Sequence, residues 1–540
     1  MFKRLVTVCA FFASVALHVL AADIAVVAPE DGYHQALARH VQRWLKEQAI
    51  ASDVVLPKAL PSVLPKSRLA LLVGCGEPTE AEMKALTAYR TRGGRLIVFY
   101  SASQRLAALM GVKQLGYAPA AYPGQWSRMD FTVDFPEGLP KAVPQVSSVL
   151  QKAAPLPGRG RVMATWTDRY GRPTGDAAWI STAAGYWMTH VLLSDGDQAL
   201  KSQLLGALTG CLVPGTWNYA AFKAKAAAEH RALRAIALQQ IPRKGEIHAV
   251  WDHSGCGLYP GNWKKTMHAL QEARVTDLFV NVAGAGFAHY PSSVLPRSKT
   301  FLQEGDQLKA CLAAAQGTGI RVHAWMLCFT ASRSSPEVLA AYQQRGWRLK
   351  DRDGKPTEHL DPSQAGVRSL LLRAIDEIQA NYRVQGIHLD FVRWYERSAK
   401  PANAAAVISS FVAAARQHVR RPAWLTTAVL GKYPMCVTTV GQDWDSWLTA
   451  NTVDYVVPMD YSDDRSKFES FLRQHAANPA HARRTIVGIG VSANESRLTP
   501  RQVIDQINLV RRYNLPGMSL FDLNTTLEDR VFPYLKLGIW

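Results

Sequence analysis

The sequence predicts an α/β protein in which a C-terminal (β/α)8 barrel, a TIM barrel, follows a smaller doubly wound α/β domain. Eight strand-like apolar runs separated by helical segments follow Glu246, and eight such units build a TIM barrel. Before residue 215, shorter strand-like runs alternate with helical segments, a pattern typical of a mostly parallel sheet covered by helices. Residues 216–244 are predicted as a linker helix, because 217–240 are rich in Ala, Lys and Arg and contain no Gly or Pro.

Residues 1–21 are typical of a secretory signal peptide. Lys3 and Arg4 form a basic start, residues 5–20 are largely apolar, and Ala21 permits cleavage. An uncleaved N-terminal anchor is the alternative, although the apolar run is shorter than a membrane-spanning helix. We therefore expect a periplasmic or secreted protein of a bacterium, with no transmembrane segment after signal cleavage.

The first domain is predicted over 22–215. Its strand-like runs and helices alternate along the chain, with a hairpin predicted within 164–181. The strands are expected at 23–27, 68–74, 95–100 and 186–193, and the helices at 33–47, between the second and third strands, and from about 194 to 208.

The second domain is predicted over 245–540, with its eight barrel strands in chain order. An open doubly wound sheet is the alternative fold, but no glycine-rich phosphate-binding motif follows any of the runs. The eight runs are 247–251, 277–282, 321–327, 386–392, 424–430, 455–460, 485–491 and 517–523.

Carboxylates follow several of these runs at the point where each strand ends. The fourth run contains Asp390 near its end, with Glu396 shortly after the run, and the sixth run ends on Asp460. Active sites of TIM barrels lie at the carboxyl ends of the strands, and paired carboxylates can protonate a leaving oxygen and stabilise an oxocarbenium-like transition state. We therefore predict Asp390, Asp460 and Glu396 as the catalytic residues, with Asp390 and Asp460 as the main pair and Glu396 or, alternatively, Glu495 after the seventh run as the reserve acid.

Polar and aromatic side chains near the same strand ends are predicted to bind the substrate. A strand-end aspartate can instead cap a helix, Asp460 can instead hold Arg393 in an ion pair, and a histidine or tryptophan inside a strand can simply pack. Trp325 is expected to stack on a sugar, whereas core packing is the competing interpretation for His323. The predicted set is Arg393, Trp394, Trp325, His323, Tyr290, Tyr461, Asp252, Asn281 and Asp522.

The composition predicts an anionic partner and no cofactor. The formal net charge is +19, which favours an anionic polymer or surface, although a solvated basic surface explains the same number. No nucleic-acid recognition motif accompanies the charge. The histidines form no HExxH motif and the cysteines have no metal-ligand spacing, so no catalytic metal is predicted.

Four stretches of the barrel region, in order, carry a family resemblance. They are 289–296 (HYPSSVLP), 319–325 (GIRVHAW), 346–362 with its GWRL and LDP segments, and 386–390 (GIHLD). Together they resemble the glycosyl-hydrolase-like ten family of exported bacterial TIM-barrel proteins. Many of its members have aspartates where this chain has Gln385 and Phe391. Chitinase-type barrels place a glutamate at the position of Val392, so the sequence argues against their mechanism.

The first domain resembles the class I glutamine-amidotransferase-like domains, which have a flavodoxin-like fold. The resemblance lies in 186–196 (YWMTHVLLSDG), and Gly74-Cys75-Gly76 suggests a nucleophile. However, the turn where such a domain carries its cysteine is Tyr100-Ser101-Ala102-Ser103. We therefore expect this domain to be non-catalytic.

The predicted function is that of an exported glycoside hydrolase acting on a polysaccharide, with cell-wall and other anionic glycans as candidates. A catalytically inactive glycan-binding or envelope scaffold protein is the alternative, because the second carboxylates of the fourth run are missing.

Overall fold

The computed structural model describes residues 23–540, so the predicted signal peptide lies outside the described residues. The chain forms two compact units that divide after Phe222. The division falls inside the helix Tyr219–Leu238, within the segment that the sequence assigns to a linker.

The first unit is built on a mixed sheet of nine strands. Five neighbouring strands are parallel, in the order Asp53–Val55, Ile24–Val27, Leu69–Val73, Arg95–Phe99 and Gly185–Met188. Four antiparallel strands extend this sheet, in the order Pro173–Thr182, Gly160–Thr167, Trp126–Phe131 and Ala142–Ser147. Val112–Pro119 and Val149–Pro155 form a separate antiparallel pair. The unit's helices are Gly32–Glu47, Leu60–Val63, Glu80–Thr91, Gln104–Met110 and Gln198–Leu212, with short 3-10 turns at Pro57–Ala59 and Leu64–Lys66.

Both faces of the parallel half of this sheet are buried. Val26 packs in one apolar cluster and the adjacent Val27 in another, because successive side chains of a strand point to opposite faces. Of the antiparallel half, the sequence predicted only the hairpin within 164–181. Its outermost strand carries Pro144, which a strand tolerates at a sheet edge but which weakens the apolar signal in the sequence.

The second unit contains an eight-stranded parallel barrel whose strands we label β1 to β8. All eight predicted runs form these strands. They are Ile247–Asp252 (β1), Asp277–Gly284 (β2), Arg321–Leu327 (β3), Gly386–Asp390 (β4), Trp424–Val429 (β5), Tyr455–Pro458 (β6), Val487–Gly490 (β7) and Gly517–Phe521 (β8). Neighbours pair in the order β6-β5-β4-β3-β2-β1-β8-β7. Bridges from Val456 to Thr485 and from Met459 to Gly488 link β6 to β7 and nearly close the ring.

Helices cover the outside of the barrel. In chain order they are Trp263–Glu272, Lys299–Glu304, Gln307–Ala315, Pro336–Gln344, Ala365–Asn381, Ala404–His418, Met435–Val440, Trp444–Thr449, Arg465–Ala476, Pro479–Ala482, Pro500–Arg512, Thr525–Arg530 and Phe532–Tyr534, followed by a π-helical turn at Leu535–Ile539. Short strands at Phe287–Ala288, Arg348–Lys350 and Pro356–Leu360 lie outside the ring. Leu233 and Ala237 of the predicted linker helix are buried in the barrel's outer core, so the C-terminal half of that helix belongs to the barrel unit.

Alternation along each strand separates an inner from an outer layer. Trp251, Phe279 and Trp325 pack together inside the ring, whereas Val250 and Leu389 belong to the cluster between strands and helices. The same alternation decides which polar side chains reach the inside of the ring.

Candidate active site

Asp390 is the last residue of β4 and points into the barrel. Ile387 and Leu389 face the outer core, whereas the ring of His388 stacks on Phe279 at 4.2 Å inside the ring. Because side chains alternate along a strand, Asp390 shares the inner side with His388. The carboxyl lies at the carboxyl end of the barrel, which we call the mouth, and only 6% of the residue remains exposed.

The Asp390 carboxyl has little to stabilise its charge. Oδ1 accepts a hydrogen bond of 2.5 Å from the backbone N–H of Phe391. The Trp325 indole lies close enough to the carboxyl to favour its charged form, although its N–H makes no hydrogen bond of ordinary geometry. Burial raises the pKa of Asp390, opposed chiefly by the Arg393 guanidinium. The site therefore holds a carboxyl that is predisposed to carry a proton.

Arg393 links Asp390 to a second carboxylate. Its Nη1 lies 3.8 Å from Asp390 Oδ1, and its Nε lies 3.4 Å from Glu396 Oε1. The guanidinium also covers the Phe391 ring, with Cζ 4.0 Å from the ring centroid. Arg393 is largely buried, whereas the Glu396 side chain is 49% exposed. Two carboxylates in different environments thus share one fixed cation.

Aromatic rings contact one another at the mouth. Tyr461 stacks on Phe521 with 5.4 Å between centroids, and the His253 ring lies 5.7 Å from Phe521 and 5.8 Å from Trp325. Tyr461 and Phe521 are partly exposed and His253 is exposed. Burial raises the pKa of Tyr461, and Asp390 adds to the effect, which places that phenol in the field of the carboxyl.

Trp325 lies directly beneath the mouth and is not available as a flat surface. Only 2% of the residue is exposed, and its ring meets His253 and His388 within the inner cluster. Its position on β3 opposite Asn281 places it one layer above His323. The structure therefore offers the indole as packing next to Asp390 and leaves no open face for a sugar to stack on.

Asp460 follows β6 but points away from the inside of the barrel. Val457 is in the inner cluster and Val456 in the outer one, so the alternation turns Asp460 outward. Its Oδ2 lies 2.8 Å from Nε2 of His475 on the helix Arg465–Ala476, and both side chains are fully buried. The structure therefore does not bring Asp460 together with Asp390 at the mouth, and it also shows no ion pair between Asp460 and Arg393 among the described residues.

Three further predicted binding residues are buried elsewhere. Tyr290 is 1% exposed and packs edge-on against Tyr382, with centroids 5.7 Å apart, in the layer between strands and helices. Trp394 is 3% exposed and donates its indole N–H to the carbonyl of Ala404. His323 lies inside the barrel and pairs with Asp277 at 2.8 Å. These contacts are those of core residues.

The remaining predicted residues shape the loops around the mouth. Asp252 is fully buried and accepts hydrogen bonds from Ser254, Gly255 and Gly257, so it fixes the loop after β1. Asn281 donates weakly to the carbonyl of His253 at 3.4 Å.

Asp522 accepts hydrogen bonds from Ser492 and Asn524, each at 2.6 Å, and so ties the ends of β7 and β8 together.

Sequence reasoning assigned no role to His253 and Arg333, which the structure places at the mouth. Arg333 Nη2 lies 3.0 Å from His253 Nε2, so this nitrogen acts as acceptor and the imidazole is neutral. Surrounding protein atoms and the Arg333 charge lower the pKa of His253, while its side chain still meets solvent. The sequence could have indicated His253 by its spacing, because it lies two residues after the inward-facing Trp251.

Neither a metal centre nor a membrane span is found among the residues 23–540. No group of three or more His, Cys, Asp or Glu side chains there is placed to hold a metal ion. No helix in that range is long and apolar enough to cross a membrane.

Comparison with known proteins finds similarity in fold only. No family model and no curated protein matches the sequence. The PgaB (BpsB) glycoside hydrolase domain from Bordetella bronchiseptica aligns over 51% of this chain and 93% of its own, with 13% identity and a TM-score of 0.39. Alpha-L-fucosidase isoenzyme 2 from Paenibacillus thiaminolyticus aligns over 55% and 48%, with 14% identity and a TM-score of 0.38. A family GH18 chitinase from Cycas revoluta aligns over 54% and 100%, with 13% identity and a TM-score of 0.36. Scores this low do not extend any activity to this chain.

Proposed function

We propose that the barrel unit is a glycoside hydrolase that cleaves a polysaccharide, with Asp390 as its general acid. The observation that carries the proposal is the environment of this carboxyl: it is buried at the inward-facing end of β4, it accepts a hydrogen bond from the backbone N–H of Phe391, and burial raises its pKa. A protonated carboxyl facing the mouth of a barrel can donate its proton to a glycosidic oxygen.

Glu396 is the proposed second carboxyl group, and Arg393 lies between it and Asp390. Glu396 is exposed, and its Oε1 lies 3.4 Å from Nε of the Arg393 guanidinium. In the proposed reaction Glu396 stabilises the positive charge that develops on the sugar or activates the attacking water. Arg393 holds both carboxyl groups in place and orients Asp390 through its contact of 3.8 Å.

Tyr461 and Phe521 form the proposed sugar platform. Their stacked rings are partly exposed, Asp390 acts electrostatically on the Tyr461 phenol, and an aromatic face offers a large apolar contact for the C–H face of a pyranose. His253, neutral and accessible, is placed to hydrogen-bond a sugar hydroxyl at the same mouth.

A glycan-binding protein without hydrolase activity is the second candidate. Among the described barrel strands, Asp390 is the only carboxyl that points inward at the carboxyl end, since Asp252 is used by its loop and Asp460 lies beyond β6 and faces outward. A barrel that presents aromatic rings and one acid can bind a sugar chain without cleaving it.

The two candidates are separated by measuring binding and cleavage on the same glycans. A panel of neutral and anionic polysaccharides is incubated with the wild-type protein and with its Asp390→Asn and Glu396→Gln variants, and new reducing ends are quantified. The hydrolase proposal expects release by the wild type that both variants lose while they still bind the glycan. Binding of a glycan by the wild type with no new reducing ends would favour the second candidate.

We further propose that the barrel is a member of the glycosyl-hydrolase-like ten family and that the first unit is a non-catalytic amidotransferase-like domain. Tyr100, at φ +50°, occupies the turn between the strand Arg95–Phe99 and the helix starting at Gln104. Cys75 is buried, and burial raises the pKa of its thiol to about 12. Both observations support the absence of a cysteine nucleophile. Ammonia release from glutamine that disappears in Cys75→Ser would contradict this proposal.

Export to the periplasm or the medium completes the proposal. It rests on the basic and apolar character of residues 1–21. Fractionation of cells that express the tagged chain, with and without residues 1–21, tests it, and retention of both forms in the cytoplasm would contradict export.

A further inference from the structure

A pocket lies at the amino-terminal face of the barrel, opposite the mouth. Its volume is about 380 Å³, within the range of small-ligand sites. Three strands reach it at their beginnings: Arg321 starts β3, Gln385 precedes β4 and Trp424 starts β5. We call it the arginine pocket, and its lining is Arg321, Gln379, Tyr382, Arg383, Val384, Gln385, Arg420, Pro422, Ala423 and Trp424.

The lining contains three arginines and no acidic residue. Arg321 is already neutralised, because its Nη2 lies 2.7 Å from Asp277 Oδ2. Arg383 and Arg420 form no ion pair with any described residue and are exposed. Of the acids near the pocket, Asp306 accepts a hydrogen bond from the hydroxyl of the lining residue Tyr382 at 2.7 Å, and Asp454 pairs with Arg416 and Arg421. Two uncompensated guanidinium groups therefore line one concave surface.

The walls of the arginine pocket are held rigidly. Gln379 donates to the carbonyl of His418 at 2.6 Å and accepts from the backbone N–H of Arg420 at 2.8 Å. Gln385 accepts from the backbone N–H of Val322 at 2.8 Å. The Arg321 guanidinium covers the Trp424 ring at 4.2 Å, which fixes the indole at the pocket's side.

The pocket combines two kinds of surface. Arg383 and Arg420 can bind a carboxylate or sulfate group through charge-assisted hydrogen bonds. Val384, Pro422 and Ala423 provide an apolar wall that suits the C–H face of a sugar ring. The volume suits one sugar or two, and the formal net charge of +19 favours an anionic chain as partner.

We propose that the arginine pocket binds an anionic sugar residue of a polysaccharide, at the end of the barrel remote from the mouth. This binding does not depend on the proposed hydrolase function, because no residue of the pocket belongs to the mouth. It would hold an acidic glycan on the protein whether the mouth cleaves that glycan or not.

The experiment monitors the indole of Trp424 by ¹⁹F NMR. The protein carrying Asp390→Asn is labelled with 5-fluorotryptophan, and the Trp424 resonance is assigned from Trp424→Phe. Tri-galacturonic acid is titrated by ¹⁹F NMR and calorimetry, with maltotriose as the neutral probe and sodium sulfate as the anion without a sugar ring. The variant is Arg383→Ala with Arg420→Ala. Its matched control is Arg231→Ala with Arg234→Ala, which removes two exposed arginines from the helix Tyr219–Leu238.

The proposal expects a shift of the Trp424 resonance with tri-galacturonic acid and none with maltotriose. Affinity for tri-galacturonic acid should fall about tenfold or more in the pocket variant and less than about twofold in the control. Equal weakening in both variants would reduce the effect to general charge and overturn the proposal. An unmoved Trp424 resonance, or an equal response to sulfate alone, would overturn it as well. In a protein that keeps Asp390, Arg383→Ala with Arg420→Ala should leave the cleavage of a short neutral glycan unchanged. Loss of pocket binding can therefore be distinguished from failure of the proposed hydrolase function.

Discussion

Asp390→Asn is the substitution that separates a chemical from a structural role at the mouth. Asparagine has nearly the same shape as aspartate, but it cannot donate a carboxylic proton. In the structure Asp390 accepts a single hydrogen bond, from the backbone N–H of Phe391, and the amide oxygen of asparagine can accept the same bond. The substitution thus removes the proton and the charge while it preserves the contact.

The expected effects on rate and stability follow from these contacts. General acid catalysis contributes about 10²- to 10⁴-fold, so cleavage should fall by that factor. No hydrogen bond is lost, so the thermal midpoint at pH 7 should be unchanged or higher. Burial raises the pKa of Asp390 above that of the unfolded chain. The native state therefore binds this proton more tightly, and the contribution of the carboxyl to stability is lost as the pH rises from about 3.9 through the native pKa. The midpoint of Asp390→Asn relative to wild type should consequently increase from pH 4 to pH 7.5.

Asp252→Asn is the matched control, since it alters another buried strand-end carboxyl. Asp252 accepts four hydrogen bonds, from the N–H and hydroxyl of Ser254 and from the N–H groups of Gly255 and Gly257. Both carboxylate oxygens of Asp252 accept hydrogen bonds, whereas asparagine has only one oxygen acceptor. At least one N–H group therefore loses its acceptor, which costs about 1–3 kcal/mol. This variant should lose several degrees of thermal midpoint.

The assay pairs reducing-end release with calorimetric midpoints for both variants at the two pH values. Cleavage by Asp390→Asn at the wild-type rate would refute the role of the carboxyl as the general acid. A fall in its midpoint as large as that of Asp252→Asn would show instead that Asp390 supports the structure.

Other predictions concern buried residues. Trp325→Ala should destabilise the barrel by about 3–5 kcal/mol in urea unfolding, whereas weakened glycan binding at unchanged stability would restore the stacking role. Asp460→Ala leaves His475 without its 2.8 Å hydrogen-bond partner, so it should lower the unfolding free energy by about 1–3 kcal/mol, and cleavage by the folded protein should change less than tenfold. In the native protein Cys75, whose thiol pKa burial raises to about 12, should react with a thiol reagent more slowly than the partly exposed Cys211, and equal rates would contradict its burial.

The sequence by itself determined the existence and order of the barrel strands. Each run is apolar and short, and strands buried on both sides read as continuous apolar stretches. That property made 321–327 and 386–392 recognisable as strands, and Asp390 and Asp460 were recognisable as carboxylates near the ends of such runs.

The same property hid which way each side chain points. Where both faces of a strand are apolar, the sequence does not show the phase of the alternation, and a shift of one residue exchanges the inner and outer faces. Asp390 and Asp460 both follow apolar runs, yet the structure turns the first into the barrel and the second toward His475. Only the tertiary structure could decide this, because strand pairing and helix packing fix the phase through contacts between residues distant in the chain. The arginine pocket was hidden for the same reason, since Arg321, Arg383 and Arg420 meet only when three strands begin side by side.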